Sequence, residues 1–275
     1  MKETAVASKP TRISDLFESA RRKGRKILSP YFVAGFPDMG SSGELILEAL
    51  HNGADMVEIG LPFSDPLADG PVIQYASQAA LHNGMNVSRL FKLVRGLRKQ
   101  FDAPFVVMTY VNLILQYGLS AFLRDANAAG VDGLVVPDLT WEAGRRYHAA
   151  FREGSIDLIP LIAPTSPPAR IRRIAEDAQG FVYLVSVTGV TGERKELPPG
   201  LKDFVGRVRK ATEKPICVGF GISTPEQARE VTRIADGAIV GSALVQRIAS
   251  AADTNTARSE VRMVIAAMRA EIDRA

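Results

Sequence analysis

The chain has 275 residues, of which 46% are hydrophobic and 23% are charged. This composition is typical of a globular protein with a sizeable core and excludes a mainly disordered chain. The formal net charge is +4, but residues 1–26 contain eight basic and three acidic residues, so the remaining residues carry a net charge of −1. The basic character is therefore an N-terminal feature, and no basic patch with aromatic stacking residues indicates nucleic-acid binding.

The sequence also excludes several classes of protein and site. No stretch approaches 18 consecutive apolar residues, and residues 1–26 lack the apolar core of a secretory signal, so we expect a cytoplasmic protein without membrane contact. The single cysteine, Cys217, lies in an apolar run and is predicted to be a buried small hydrophobic residue. None of the ten lysines lies at the C-terminal end of a predicted strand, which argues against a Schiff-base aldolase. The three histidines lie far apart in helical segments, so no histidine-bound metal is expected: His51, His82 and His148.

Short apolar runs alternate along the chain with amphipathic segments, which is the pattern of βα units and a parallel sheet. Eight runs predict strands, at 27–34, 54–59, 105–110, 133–136, 158–162, 181–185, 216–218 and 237–240. Helical segments between them include 43–51, 120–129, 141–151, 168–178, 201–211 and 225–234. An open doubly wound sheet is the alternative, but no dinucleotide-binding glycine motif follows the first strand. The pattern favours an α/β fold with a single (β/α)8 TIM-barrel domain over residues 1–275, the first ten residues being flexible.

Two amphipathic segments lie outside the eight βα units of a minimal barrel. Residues 12–23 precede the first strand, and residues 261–272 follow the last one with apolar residues at helical spacing. We expect an additional N-terminal helix and a C-terminal helical extension. Both should pack against the barrel exterior or plug its N-terminal end.

Two carboxylates stand out at the C-terminal ends of the strands, where barrel active sites lie. Glu58 interrupts the apolar second strand, and the two-residue period directs its side chain into the barrel mouth. Burial should raise its pKa into the range of a general acid or base, unless a hidden arginine or lysine pairs with it. Asp69 lies in the proline-rich loop 62–71, where it could accept a hydrogen bond from a substrate N–H or simply form a turn.

Two glycine turns after the last two strands indicate a phosphate site. Gly221 lies in the turn after the seventh strand, and Gly241 with Ser242 lies after the eighth. Such turns expose backbone N–H groups to an anion at a helix N-terminus, although glycines also serve plain strand-to-helix turns. The sequence therefore favours a phosphorylated substrate handled by carboxylates.

Four segments together resemble the tryptophan synthase alpha subunit: VEIGLPFSDPLADGP at 57–71, GVTG at 189–192, GFGIS at 219–223 and VGSA at 240–243. The resemblance covers roughly residues 12–270. It implies a lyase that cleaves indole-3-glycerol phosphate to indole and glyceraldehyde 3-phosphate in tryptophan biosynthesis. It also implies no cofactor in this chain, with a beta subunit that carries pyridoxal phosphate as the partner in an alpha2beta2 assembly.

The resemblance also assigns roles by position. It implies catalytic roles for Glu58, Asp69 and Tyr183, with Asp69 at the indole nitrogen. Tyr31 stands where a phenylalanine is familiar in the family. The remaining assignments are phosphate binding by Gly192, Gly221, Gly241 and Ser242, an indole pocket of Tyr31, Met108 and Phe220, a partner interface at Pro62, Asp65 and Pro66, and a lid loop with Thr191 and Gly192.

Two alternatives stay open at this point. One is a stand-alone indole-releasing lyase of the same fold, which needs the same residues. The other is a catalytically silent barrel that binds and activates a beta-subunit partner, although intact Glu58, Asp69 and phosphate turns argue against it.

Overall fold

The computed structural model describes residues 10–66, 69–153, 155–185, 197–219 and 221–275, and of residues 148 and 152 it describes the backbone alone. Within these ranges nine parallel strands form one sheet in the order β5-β4-β3-β2-β1-β9-β8-β7-β6. The strands are β1 (Ile27–Val33), β2 (Val57–Gly60), β3 (Phe105–Met108), β4 (Gly133–Val135), β5 (Asp157–Ile159), β6 (Leu161–Ile162), β7 (Val182–Val185), β8 (Ile216–Gly219) and β9 (Gly237–Val240).

The two outermost strands of this order are halves of one predicted strand. Only Pro160 separates β5 from β6 along the chain, and proline has no N–H to donate to a ladder. Its carbonyl still accepts a hydrogen bond from the Tyr183 N–H at 3.0 Å. The sheet therefore closes on itself, and the eight predicted strands form the predicted TIM barrel.

Helices cover the outside of the barrel and its N-terminal end. They are α1 (Arg12–Arg22), α2 (Ser41–His51), α3 (Pro71–His82), α4 (Val87–Arg98), α5 (Val111–Tyr117), α6 (Leu119–Ala129), α7 (Trp141–Gly144), α8 (His148–Glu153), α9 (Pro168–Asp177), α10 (Leu201–Arg209), α11 (Pro225–Ile234), α12 (Ser242–Ser250) and α13 (Thr254–Ile272). The helix predicted at 141–151 is interrupted by a 3-10 turn, Arg145–Tyr147. The helices α3, α4, α5 and α12 were not among the predicted segments.

The predicted terminal helices are both present, and they occupy different places. Helix α1 starts with a reciprocal capping box between Thr11 and Ser14, and the Phe17 ring lies 5.6 Å from the Phe181 ring just before β7. It therefore closes the N-terminal end of the barrel. Helix α13 packs on the exterior against α2, α11 and α12.

The interior matches a parallel sheet covered on both faces, since every residue of β1, β2, β3, β8 and β9 is buried. Cys217 is buried in β8, as predicted. None of the described helices has the length and apolar character needed to cross a membrane.

Candidate active site

The predicted site residues meet in a small cavity at the C-terminal end of the barrel. In the sheet, Tyr31 of β1 is in register with Glu58 of β2, and Gly60 is in register with Met108 of β3. Tyr183 reaches the same space from β7. The cavity has a volume of about 40 Å³ and is lined by Tyr31, Glu58, Asp69, Ile73, Met108, Tyr183, Gly221, Ile222, Ile239, Gly241 and Ser242.

Two glycines in the strands make room for the tyrosines of the site. A Cβ atom at Gly60 would overlap the hydroxyl and ring of Tyr31, and one at Gly219 would overlap the ring and hydroxyl of Tyr183. No substitution at either glycine keeps the tyrosine in place, so the two glycines fix the aromatic walls around Glu58.

Glu58 is a buried carboxyl group, with 2% of its surface exposed. Its pKa is raised to about 8, mainly by burial and also by the negative charge of Asp69, while a hydrogen bond from the Tyr183 hydroxyl offsets part of the rise. Within the described residues its Oε1 has no hydrogen-bond partner, and it forms no ion pair with a lysine, arginine or histidine. The raised pKa predicted from the sequence is supported, and pairing with a hidden cation is not found there.

Asp69 is held by its backbone at the entry to α3. Its N–H donates to the Pro66 carbonyl at 3.0 Å, and its own carbonyl accepts from Gln74 Nε2 at 2.7 Å. The pKa of its carboxyl group is raised to about 6 by burial, with part of the rise offset by a hydrogen bond from the Tyr110 hydroxyl. Asp69 is therefore more than a turn former, because its carboxyl group reaches the cavity.

Tyr110 adjoins Asp69 in the candidate site, although the sequence assigned it no role. It is buried, its ring lies 5.1 Å from that of Phe63, and its hydroxyl donates a hydrogen bond to the Asp69 carboxyl group. Its position two residues after Met108 places it on the same face of the extended chain, and this spacing was the available signal. The apolar lining residues Ile73, Ile222 and Ile239 were missed as well.

The two glycine turns differ in how open their backbone N–H groups are. Gly221 has a φ of +86°, but the helix after it, α11, starts with a capping box between Thr224 and Gln227. Gly241 is the N-cap residue of α12 and provides no side-chain cap, and Gly241 and Ser242 line the cavity. An anion in the cavity could therefore accept hydrogen bonds from the first turn of α12.

The other predicted site residues lie away from the cavity or outside the described ranges. Pro62 is buried and Pro66 half-buried, whereas Asp65 is exposed and accepts a hydrogen bond from the Ser64 hydroxyl at 2.6 Å. Three predicted residues lie outside the described residues: Thr191, Gly192 and Phe220. Among the residues that are described, no group of three His, Cys, Asp or Glu side chains could hold a metal ion.

Two larger clefts lie elsewhere, one of about 400 Å³ beside α7 and α9 and one of about 450 Å³ at the N-terminal end of the barrel. The small cavity is nevertheless the better candidate for catalysis. It brings together two carboxyl groups with raised pKa values. It also lies at the C-terminal end of the barrel, where TIM-barrel enzymes carry their active sites.

Comparisons with known proteins agree with this geometry. The family model "Tryptophan synthase alpha chain" matches residues 17–273. The tryptophan synthase alpha chain of Gloeobacter violaceus is 48% identical over 244 residues, 88% of each chain, and that of Carboxydothermus hydrogenoformans is 44% identical over 256 residues, 93% of this chain and 96% of the relative.

Solved structures show the same likeness. The Legionella pneumophila tryptophan synthase subunit alpha has a TM-score of 0.90 at 34% identity, covering 97% of this chain and 100% of that one. A chain of Mycobacterium tuberculosis tryptophan synthase has a TM-score of 0.88 at 36% identity, covering 96% of this chain and 99% of that one. By sequence and by structure, the chain belongs to the tryptophan synthase alpha chain family.

Proposed function

We propose that the chain cleaves indole-3-glycerol phosphate to indole and glyceraldehyde 3-phosphate by a retro-aldol reaction. The observation that carries the proposal is the pair of buried carboxyl groups, Glu58 with a pKa of about 8 and Asp69 with a pKa of about 6. Near neutral pH, Glu58 is mainly protonated and Asp69 is mainly ionised. The site then holds a proton donor and an anionic hydrogen-bond acceptor side by side.

This pair matches what the cleavage needs. Glu58 donates its proton to C3 of the indole ring, and the ring acquires a positive charge shared with its nitrogen. The bond between C3 and the hydroxyl-bearing carbon then breaks, its electron pair returns to the ring, and the carbon becomes an aldehyde. The ionised Glu58 accepts the proton of that hydroxyl group, which restores the acid for the next turnover.

Asp69 and Tyr183 support this proton transfer in different ways. The carboxylate of Asp69 accepts a hydrogen bond from the indole N–H and stabilises the positive charge that develops at the nitrogen. The Tyr183 hydroxyl donates to the Glu58 carboxyl group and so orients it. Asp69 acts on the substrate, whereas Tyr183 is a positioning residue.

The phosphate group of the substrate would lie at the turns of Gly221, Gly241 and Ser242, where the uncapped start of α12 supplies N–H donors. Binding energy gained there holds the glycerol chain in register with Glu58. The cavity of about 40 Å³ is smaller than the ~300 Å³ or more of typical ligand sites. The walls must therefore move apart to admit the substrate.

A beta subunit is the proposed partner, and the pyridoxal phosphate would belong to that subunit. The name of the family designates an alpha chain, which implies a beta chain as its partner. The loop with Pro62, Asp65 and Pro66 adjoins the Asp69 side of the site, and the exposed Asp65 carboxylate is available to a partner there. Indole released beside this loop would pass to the partner in the cytoplasm.

Indole release from indole-3-glycerol phosphate, measured with and without a beta subunit, tests the proposal. We expect slow release by the isolated chain and strong activation by the partner. Full activity without the partner would indicate a stand-alone lyase. No release under either condition would overturn the proposal and leave a catalytically silent barrel that binds its partner. A Glu58→Gln variant of the same chain is the matched control for background release.

A further inference from the structure

We propose that a cleft at the N-terminal end of the barrel, opposite the active site, binds a small molecule that carries a phosphate monoester. This basal cleft has a volume of about 450 Å³. It lies between α1 with the segment that enters β1 and the residues just before β7, β8 and β9, and its walls include Phe17, Arg21, Lys26, Gly180, Lys214 and Asp236. The proposal is independent of the reaction proposed above.

The basal cleft gathers cations from distant parts of the chain. Arg21 and Lys26 belong to the basic N-terminal segment, and Lys214 comes from the turn before β8. The structure thus gives the N-terminal charge a location, because residues of that segment meet further basic residues around one concave surface. The charged side chains of the cleft are Arg21, Arg25, Lys26, Arg209 and Lys214 against Glu18, Glu213 and Asp236.

Part of this charge is already neutralised. Arg209 pairs with Asp236, Arg25 pairs with Asp55 at 2.8 Å, and Glu18 pairs with Arg22 at 2.5 Å. These pairs leave the cleft with three cations and one carboxylate that form no ion pair within the described residues.

The remaining cations are Arg21, Lys26 and Lys214, and the remaining carboxylate is Glu213. Lys26 Nζ donates to the Ala235 carbonyl at 2.9 Å, an uncharged acceptor. Lys214 acts electrostatically on Asp157, which in turn accepts a hydrogen bond from the Thr11 hydroxyl at 2.7 Å. The three cations exceed the one carboxylate by two, so the side chains of the basal cleft that form no ion pair carry a net charge of about +2.

A phosphate monoester fits this excess. It carries about 1.5 to 2 negative charges at neutral pH and three acceptor oxygens. An arginine fork and lysine ammonium groups are the usual donors to such a group.

The cleft is less suited to nucleic acid. Its aromatic wall residue, Phe17, is 6% exposed, so it offers no face on which a base could stack. The volume lies within the range of small-molecule sites. These features favour a phosphorylated metabolite over a polynucleotide.

The test is titration of the full chain with inorganic phosphate at constant ionic strength, followed by calorimetry and by backbone amide chemical shifts. We expect shifts at residues 21–26 and at Lys214. The double variant Arg21→Gln and Lys214→Gln should weaken this binding by about tenfold or more. The control Lys92→Gln removes an exposed lysine from α4 and should leave the affinity unchanged.

The outcomes are distinct. Indole release should be the same in the double variant and the control, because neither alters the cavity around Glu58. Shifts confined to Gly221, Gly241 and Ser242 would show that phosphate binds at the catalytic end alone and would overturn the proposal. Equal affinity of the double variant and the unmodified chain, or no binding at all, would overturn it too. The amide shifts of the unmodified chain do not depend on whether a variant folds.

Discussion

Replacing Glu58 by glutamine removes the titratable proton while keeping the size of the side chain, and two opposite effects should follow. Indole release should fall by about 100-fold or more, because general acid–base catalysis typically contributes 10²–10⁴ in rate. At alkaline pH the variant should nevertheless be more stable than the unmodified chain. Glutamine cannot ionise, so it does not place a charge in the buried site.

The size of the stability effect follows from the pKa of Glu58, about 8 in the folded chain against an ordinary value of 4.5. Between these values the folded chain keeps a proton that the unfolded chain has released, so its stability falls as the pH rises. Each pH unit costs about 1.4 kcal/mol, and the full effect above pH 8 is about 5 kcal/mol. The glutamine variant lacks this loss.

One cost works against the variant at every pH. Oε1 of Glu58 has no hydrogen-bond partner within the described residues, so a glutamine amide there leaves a buried donor unsatisfied, at about 1–3 kcal/mol. We therefore expect the variant to be slightly less stable at pH 5 and more stable by about 2 kcal/mol at pH 8.5. The change between the two pH values, about 4 kcal/mol, does not depend on this constant cost.

Urea unfolding of both proteins at a series of pH values measures this difference, and indole release with the substrate at saturation measures activity. Binding of a phosphate-bearing product such as glyceraldehyde 3-phosphate should change little, since the turns that hold phosphate are intact. A difference in the free energy of unfolding that stays constant from pH 5 to pH 8.5 would refute a raised pKa at Glu58. Turnover above a few per cent would refute its catalytic role.

Three further predictions concern the pH dependence of the reaction, a glycine beside Tyr31 and a buried ion pair. The pH profile of kcat/KM should be bell-shaped, rising with a pKa of about 6 and falling with one of about 8, and a profile flat from pH 5 to pH 9 would contradict this. Gly60→Ala should lower both activity and thermal stability because a Cβ overlaps Tyr31, whereas Gly206→Ala, with open space around it, should be harmless; equal behaviour would argue against the steric role. Arg269→Ala should destabilise the chain by about 1–3 kcal/mol in chemical unfolding, because buried Asp55 loses the hydrogen bond from Arg269 at 2.9 Å but keeps its ion pair with Arg25, and an unchanged free energy of unfolding would contradict this.

Much of the fold was predictable because its strands are buried on both faces and therefore stand out as apolar runs. The helix α3 was missed because alanine and serine form much of its buried face, at Ala76, Ser77 and Ala80, which leaves little contrast with its exposed face. The interruption of the strand 158–162 was readable in principle from Pro160. That residues 1–275 form one domain stays a prediction.

The candidate site was predictable where a residue conflicts with its local sequence. Glu58 in an apolar strand is such a conflict, and the structure gives it a raised pKa. The hydrogen bond of Asp69 with Tyr110 was not predictable, because it joins a loop and a strand end that are distant in sequence and meet only when the barrel closes. The apolar lining, as at Ile222 and Ile239, carries no local signal, since most apolar residues are buried.

The proposed cleavage requires Glu58 to hold its proton at neutral pH. The most direct test is a titration of the chain labelled with 13C at the glutamate carboxyl carbons, followed by NMR, with Glu58→Gln used to assign the resonance. We expect the Glu58 resonance to show a transition with a pKa of about 8. A Glu58 resonance that is already that of an ionised carboxylate at pH 6 would contradict it.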